Sequence, residues 1–429
     1  MRKVAIETLG CKLNQADSLK MGDEFSCAGF SLVDTESECD IYIINTCTVT
    51  HVADRKGRQS IRRAKRNNPD SLVVVTGCYA EKDRISLEKL AEVDLVVGNT
   101  QKSEIVNLTL NELAMRPFSI LERSGGEHLS EGIQNTNRAM LKIQEGCDQM
   151  CSYCIVPKVR GRERSVPVND LIDQANDLHS RGYKEIVLTG TQLGSYGFEF
   201  DNTSLKTLLN ELITNTDIGR IRVSSVQPQE FSDELLDLWD SGRLCPHFHI
   251  PLQSGSDRIL GLMRRRYDSK LFLESIEKVR SRVDKASITT DVIVGFPGET
   301  ERDFIATKSV CDLAKFSDMH VFKFSKRNGT IAAHLQDDVS YQVKTRRSRE
   351  LITMGEKYFS DFRMKMDGSS ENVLWETQSV SAGRPKFIYG LTENYVRVKG
   401  KYESLESDLE ELVVKYDVSN PVGPMIACH

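Results

Sequence analysis

The chain has 429 residues, 39% of them hydrophobic and 28% charged, and a formal net charge of −5. That length accommodates two to four domains with real cores, and the composition is that of an ordinary soluble globular protein. A net negative charge excludes nucleic-acid binding through a global positive field, so any such binding must rest on local basic patches. No stretch approaches the ~20 apolar residues of a membrane span. The start, Met1-Arg2-Lys3-Val4-Ala5-Ile6, enters a strand pattern without the apolar core of a signal peptide, so a cytoplasmic location is expected. Eleven cysteines in such a chain point to metal or redox chemistry rather than to a disulfide framework.

In chain order, Lys3 to Thr8 reads as a short strand that ends at Gly10-Cys11, and Asn14 to Ala28 has helical periodicity. Asp40 to Asn45 is a buried-strand run ending at Thr46-Cys47, followed by a helix rich in Arg and Lys. Ser71 to Thr76 is a third such run and ends at Gly77-Cys78; a further helix leads to Asp94 to Val97. Strands and helices alternating at this spacing predict βαβ units and a parallel sheet. Cys11, Cys47 and Cys78 then lie just past the carboxyl ends of parallel strands, the edge at which open α/β sheets bind ligands. They can converge there as a second metal-cluster site; the plainer alternative is three separate buried cysteines, which are common core residues.

A polar, Gly-containing linker is expected from Gly125 to about Thr136. Beyond it, strand-like segments recur at Ala139 to Gln144, Glu185 to Thr189, Arg220 to Ser225, Phe248 to Pro251, Ile288 to Val294 and Met319 to Phe324, with amphipathic helices between. Six β/α units fit an open (β/α)6 barrel, short of the eight of a closed one. After the first of these strands comes Cys147-Asp148-Gln149-Met150-Cys151-Ser152-Tyr153-Cys154, spaced C-x3-C-x2-C. Three thiolates in a short loop can hold three corners of a [4Fe–4S] cube, leaving the fourth iron to a non-protein ligand. A zinc knuckle would need a fourth ligand, and the next candidates, His179 and Cys245, are distant in sequence. The basic amphipathic run Tyr341 to Met366 predicts one helix leading out of the barrel. After Asp367-Gly368, short strands at Glu371 to Glu376, Pro385 to Tyr389, Tyr395 to Lys399 and Glu411 to Asp417 predict a small all-β barrel.

Basic residues cluster at two places beside the cysteines. Arg55, Arg58 and Arg62 share one face of the helix after Cys47, and Arg160, Arg162 and Arg164 follow the C-x3-C-x2-C loop. A charged helix face is usually only solvated, but the placement favours phosphate contacts to RNA.

The C-x3-C-x2-C loop, with Tyr153 before its last cysteine, resembles the radical S-adenosylmethionine (SAM) superfamily. In that superfamily SAM chelates the open iron and is cleaved reductively to a 5′-deoxyadenosyl radical. Thr8-Leu9-Gly10-Cys11-Lys12-Leu13-Asn14-Gln15, Asn45-Thr46-Cys47-Thr48-Val49-Thr50 and Thr76-Gly77-Cys78-Tyr79-Ala80 are similar to the three cysteine motifs of its methylthiotransferases. The resemblance spans nearly the whole chain. It implies a flavodoxin-like N-terminal domain (1–124) with a second [4Fe–4S] cluster, a radical SAM partial barrel with its trailing helix (125–366), and a TRAM-like RNA-binding barrel (367–429). It further implies that Gly190 and Thr191 approach the amino end of SAM, and that Gln253, Ser254 and Phe296 lie near its methionyl or adenosyl parts. Met150 and Lys158 depart from the family's usual aromatic residues.

The reaction implied is methylthiolation of a tRNA anticodon-loop adenosine, with a flavodoxin or ferredoxin as electron donor and a separate sulfur source. The first two cysteine motifs look most like the branch acting on N6-threonylcarbamoyladenosine at position 37. Isopentenyladenosine and a ribosomal-protein aspartate are the alternatives within the family. A two-cluster electron carrier or RNA-binding scaffold is the alternative of another class.

Overall fold

The computed structural model describes residues 1–115, 137–376, 387–401 and 407–428. The linker expected at 125–136 and the first two residues of the strand expected from Pro385 lie outside the described residues. The chain forms two compact units: Met1–Asn135 with Gly146–Asp148 and Ile155–Arg162, and Thr136–Glu145 with Gln149–Cys154 and Glu163–His429.

The first unit is built on five parallel strands, β1 (Lys3–Thr8), β2 (Ser31–Val33), β3 (Ile41–Thr46), β4 (Leu72–Gly77) and β5 (Leu95–Val97), in the order β2-β1-β3-β4-β5. This is the doubly wound order of flavodoxin-like sheets. The pleat sends alternate residues to opposite faces, and both faces are covered, so β3 and β4 are buried throughout. Tyr42, Ile44, Val73 and Val75 pack on Ile61 and Ala64 of the helix His51–Asn67. Ile41, Ile43, Leu72 and Val74 pack on Met21 and Phe25 of the helix Lys12–Cys27. The edge strand β2 has no counterpart in the sequence reading; it is only three residues long and pairs on one side.

The second unit begins with six parallel strands, β6 (Arg138–Lys142), β7 (Glu185–Thr189), β8 (Arg220–Val223), β9 (His247–His249), β10 (Ser287–Val294) and β11 (Asp318–Lys323). They pair in two triplets, β6-β7-β8 and β9-β10-β11, joined by the isolated bridges Ile221–Leu244 and Ser225–His249. This is the open six-unit barrel expected from the sequence. After the helix Tyr341–Lys365 come β12 (Ser370–Glu376), β13 (Phe387–Thr392), β14 (Arg397–Lys401), β15 (Leu409–Lys415) and β16 (Met425–Cys428), closed in the order β12-β13-β14-β16-β15 around Trp375, Val398 and Val414.

The turn between β13 and β14 closes the amino ends of the barrel strands. Arg222 donates to the carbonyls of Glu393 (2.6 Å) and Thr392 (3.4 Å), and Arg220 to that of Leu391 (3.3 Å). The Tyr395 ring stacks on His247 at 4.7 Å and lies 4.9 Å from the Arg222 guanidinium. Both arginines also pair with the fully buried Glu185, at 2.8 and 2.9 Å.

Candidate active site

The structure brings Cys11, Cys47 and Cys78 to the carboxyl edge of the first sheet, each directly after a strand or one short turn beyond it. Gly10 makes that convergence possible. Its φ of +113° is open to glycine, and a Cβ there would stand 2.6 Å from Cys47 Cβ. Gly77, at φ +94°, likewise turns β4 straight into the helix Cys78–Lys82. Cys47 and Cys78 are buried and Cys11 is exposed, so the set has one open side. Burial pushes the Cys47 thiol up to about 12; the Val49 backbone opposes this, and nearby Cys11 and Cys78 add to it. Cys47 thus lies near both of the other cysteines, and three thiols are a soft-donor set of the kind that holds iron–sulfur clusters.

One arginine serves this set. Arg160 Nε lies 3.3 Å from Cys78 Sγ, Nη1 is 3.0 Å from Asp17 Oδ2, and Nη2 donates to Asn14 Oδ1. Lys102 Nζ reaches the same Asp17 oxygen at 2.8 Å. Burial lowers the Lys102 ammonium, and Asp17 opposes that, while the Arg160 guanidinium stands beside Cys78 as a donor to its sulfur. Arg160 is 5% exposed. The expectation that it contacts RNA phosphate is corrected: its donors are committed inside the first unit.

The C-x3-C-x2-C loop is held from each unit separately. In the first, Cys147 N donates to Gly161 O at 3.1 Å. In the second, Ser152 N donates to Met263 O (3.0 Å), its hydroxyl to Leu262 O (2.8 Å), and Ala332 N to Ser152 O (2.7 Å). Tyr153 packs on Ile259, Met263, Phe296 and Phe324. Arg265 donates to Cys151 Sγ at 3.2 Å and to Gln227 Oε1 at 3.1 Å, with its guanidinium 4.8 Å from the Tyr267 ring. Gln227 in turn bonds Gln149 (3.0 Å) and Gln192, and Gln192 donates to Glu230 at 2.6 Å. Burial pushes the Glu230 carboxyl up to about 7.

Arg265, Gln227, Glu230, Asp17 and Lys102 have no place in the sequence reading. The signal in each case is tertiary: Arg265 and Arg160 meet cysteines 114 and 82 residues away.

The residues expected around SAM are placed unequally. Gln144 Oε1 accepts from the backbone N–H groups of Thr191 (2.9 Å) and Gln192 (3.0 Å), fixing the turn after β7. A Cβ on Gly190 would meet Gln144 O at 2.9 Å. Thr191 Oγ1 is buried without a hydrogen-bond partner among the described residues, an orphan suited to a polar ligand. Gln253 sits at φ +63° and bridges to β10. Ser254 is fully buried with its hydroxyl 3.3 Å from Thr307 Oγ1 of the helix Glu301–Ala314. Phe296 is also fully buried and underlies Tyr153.

Of the remaining basic residues, Arg55 and Arg62 are exposed. Arg58 is half-buried and donates to Tyr79 Oη at 2.7 Å. Arg162 and Arg164 are exposed and pair with Asp148 (2.8 Å) and Glu145 (3.7 Å).

Comparison with known proteins gives the family. Residues 3–98 match a family described as "Uncharacterized protein family UPF0004", and residues 141–311 match the radical SAM superfamily. The chain is 37% identical to the threonylcarbamoyladenosine tRNA methylthiotransferase MtaB of Bacillus subtilis, over 93% of this chain and 90% of that protein. It is 41% identical to the MtaB of Aquifex aeolicus, over 92% and 96%. It is 35% identical to the tRNA-2-methylthio-N(6)-dimethylallyladenosine synthase of Dictyoglomus thermophilum, over 92% and 91%. Among solved structures, the radical SAM methyltransferase TsrM of Kitasatospora setae shares the fold with a TM-score of 0.56 at 15% identity, covering 75% of each chain. With a C-x3-C-x2-C loop on a six-unit open barrel and a three-cysteine edge on a flavodoxin-like sheet, the chain belongs to the radical SAM methylthiotransferases, enzymes that work through SAM and a [4Fe–4S] cluster.

Proposed function

We propose that this enzyme methylthiolates C2 of N6-threonylcarbamoyladenosine at position 37 of tRNA, using one [4Fe–4S] cluster at Cys147, Cys151 and Cys154 and a second at Cys11, Cys47 and Cys78. The observation that carries the reading is that Cys11, Cys47 and Cys78 all follow strand ends at the carboxyl edge of one sheet, because transferring sulfur to a base needs a site besides the one that cleaves SAM. The cofactor pair supplies one-electron chemistry able to break a C–H bond with no acidic proton, for which no general base suffices. The protein's own residues orient and shield. Arg265 donates to Cys151, Arg160 to Cys78, and the Gln144 side chain fixes the turn at Thr191. Arg55, Arg62, Arg162 and Arg164 present exposed guanidiniums for anticodon-loop phosphates, around a base that must be splayed out to be reached. The reading also takes in a flavodoxin or ferredoxin electron donor, a sulfur source and a cytoplasmic setting. Among the described residues no helix is long and apolar enough to cross a membrane.

The substrate assignment is favoured by the names of two relatives, at 37% and 41% identity. Its test is to supply the enzyme with tRNA from cells that cannot make threonylcarbamoyladenosine and with tRNA from normal cells, then read the nucleosides by mass spectrometry. Product from the normal pool alone is expected. Equal product from both pools, or none from either, would overturn the substrate while leaving the enzyme class intact.

A further inference from the structure

Three side chains on neighbouring barrel strands form a cluster that the methylthiolation reading does not use. His249 ends β9, Asp291 lies in β10 and His320 in β11, with Asp291 and His320 directly paired in the strand register. The pleat puts Asp291 on the same face of β10 as Ile293, and Ile293 packs on the same hydrophobic cluster as Tyr153 of the cysteine loop. The opposite face of β10 carries the fully buried Thr290, Val292 and Val294. Asp291 therefore faces the barrel lumen, where its side chain keeps 31% exposure and those of His249 and His320 keep 16% and 55%.

The spacing of these groups is that of metal ligands. His249 Nε2 is 3.3 Å from Asp291 Oδ2, and His320 Nδ1 is 3.4 Å from Asp291 Oδ1. Ligand atoms about 2.0–2.1 Å from a tetrahedral zinc are about 3.3–3.4 Å from one another. One ligand atom from each of the three side chains can be chosen so that all lie within 4.8 Å of one another. His249 is also oriented from behind. Its Nδ1 is 3.0 Å from Thr289 Oγ1, which leaves Nε2 as the atom turned to the cluster. A second-shell partner on the far ring nitrogen is the usual arrangement for a metal-binding histidine.

We propose that His249, Asp291 and His320 form a mononuclear site for a divalent transition metal, zinc or ferrous iron, on the luminal wall of the barrel. Two imidazoles and one carboxylate are a donor set that both metals accept, and three protein ligands leave at least one position open. That open position faces the lumen and would take an oxygen ligand from a bound molecule. The inference does not depend on which base the enzyme modifies.

The test uses the full-length, cluster-loaded enzyme and Zn(II) alone, since zinc is read separately from cluster iron. Equilibrium dialysis should show about one zinc retained per chain, and zinc-edge X-ray absorption should show only nitrogen and oxygen neighbours, with imidazole scattering. His320→Gln, at the most exposed of the three positions, should weaken zinc binding about tenfold or more, as should Asp291→Asn. Far-UV circular dichroism and iron content of each variant report whether it folds and loads its clusters. No retained zinc, sulfur neighbours around the zinc, or unchanged affinity in a folded His320→Gln variant would each overturn the site.

Discussion

Arg160 shows how a residue can belong to a recognisable motif and do something other than its motif suggests. Its place after the C-x3-C-x2-C loop, among other arginines, suggests a hand for RNA; folding turns it inward to Cys78 and Asp17. Replacing it with methionine removes the donor to sulfur but leaves Asp17 paired with Lys102, so the unit should still fold. If both proposed clusters form, iron in the anaerobically reconstituted Arg160→Met protein should fall from about eight per chain towards about four, because the set at Cys78 loses its donor. Arg160→Lys should recover part of the loss. A methionine variant with a full complement of iron would show that Arg160 is not needed there. The strand ends before Cys11, Cys47 and Cys78 were legible in the sequence because their signal is local: short apolar runs closed by Gly or a polar turn. The arginines that donate to the cysteine sulfurs were not legible, since nothing in a local pattern says which of several basic side chains turns inward.

At the scale of elements, the strands were read almost to the residue where they are buried on both faces, as in β3 and β4. Continuous apolar runs bounded by Gly or polar turns leave few alternatives there. The one-sided edge strand β2 has no such run and escaped notice. The polar layer at the amino ends of β7 and β8 was also invisible, because Arg220, Arg222 and Glu185 read in sequence as ordinary strand-end charges. Glu185 is completely buried; against the cost of that burial, Arg222 and Arg220 hold its carboxyl near 2. A depressed carboxyl contributes stability that is present above its unfolded value of ~4.3 and is lost as pH falls through the folded one. Glu185→Gln should therefore destabilise the second unit by about 3–5 kcal/mol at neutral pH, the cost of stranding buried guanidiniums. The gap from wild type should narrow between about pH 4 and pH 2. Urea midpoints across that range measure both effects; a variant as stable as wild type at pH 7 would refute the account.

For the whole molecule, the two sets of cysteines lie on two different sheets, one doubly wound and one an open barrel, which makes their contributions separable. Cys11, Cys47 and Cys78 changed together to alanine should leave about four irons and reductive cleavage of SAM intact while abolishing methylthiolated product. Full iron content in that variant would remove the second cluster from the proposal. The three-part order of the chain was legible because each part has its own periodicity. The grip of the last part on the middle one was not, and it alters what the C-terminal barrel is. Its Tyr395 turn and the end of β13 act as a stopper whose backbone carbonyls accept from Arg220 and Arg222 at the foot of the larger barrel. A chain cut before β12 would uncork that foot and leave two guanidiniums facing a void or incoming water. The terminal barrel is thus not a detachable appendage, and exchanging it between relatives would succeed only where stopper and socket are moved together.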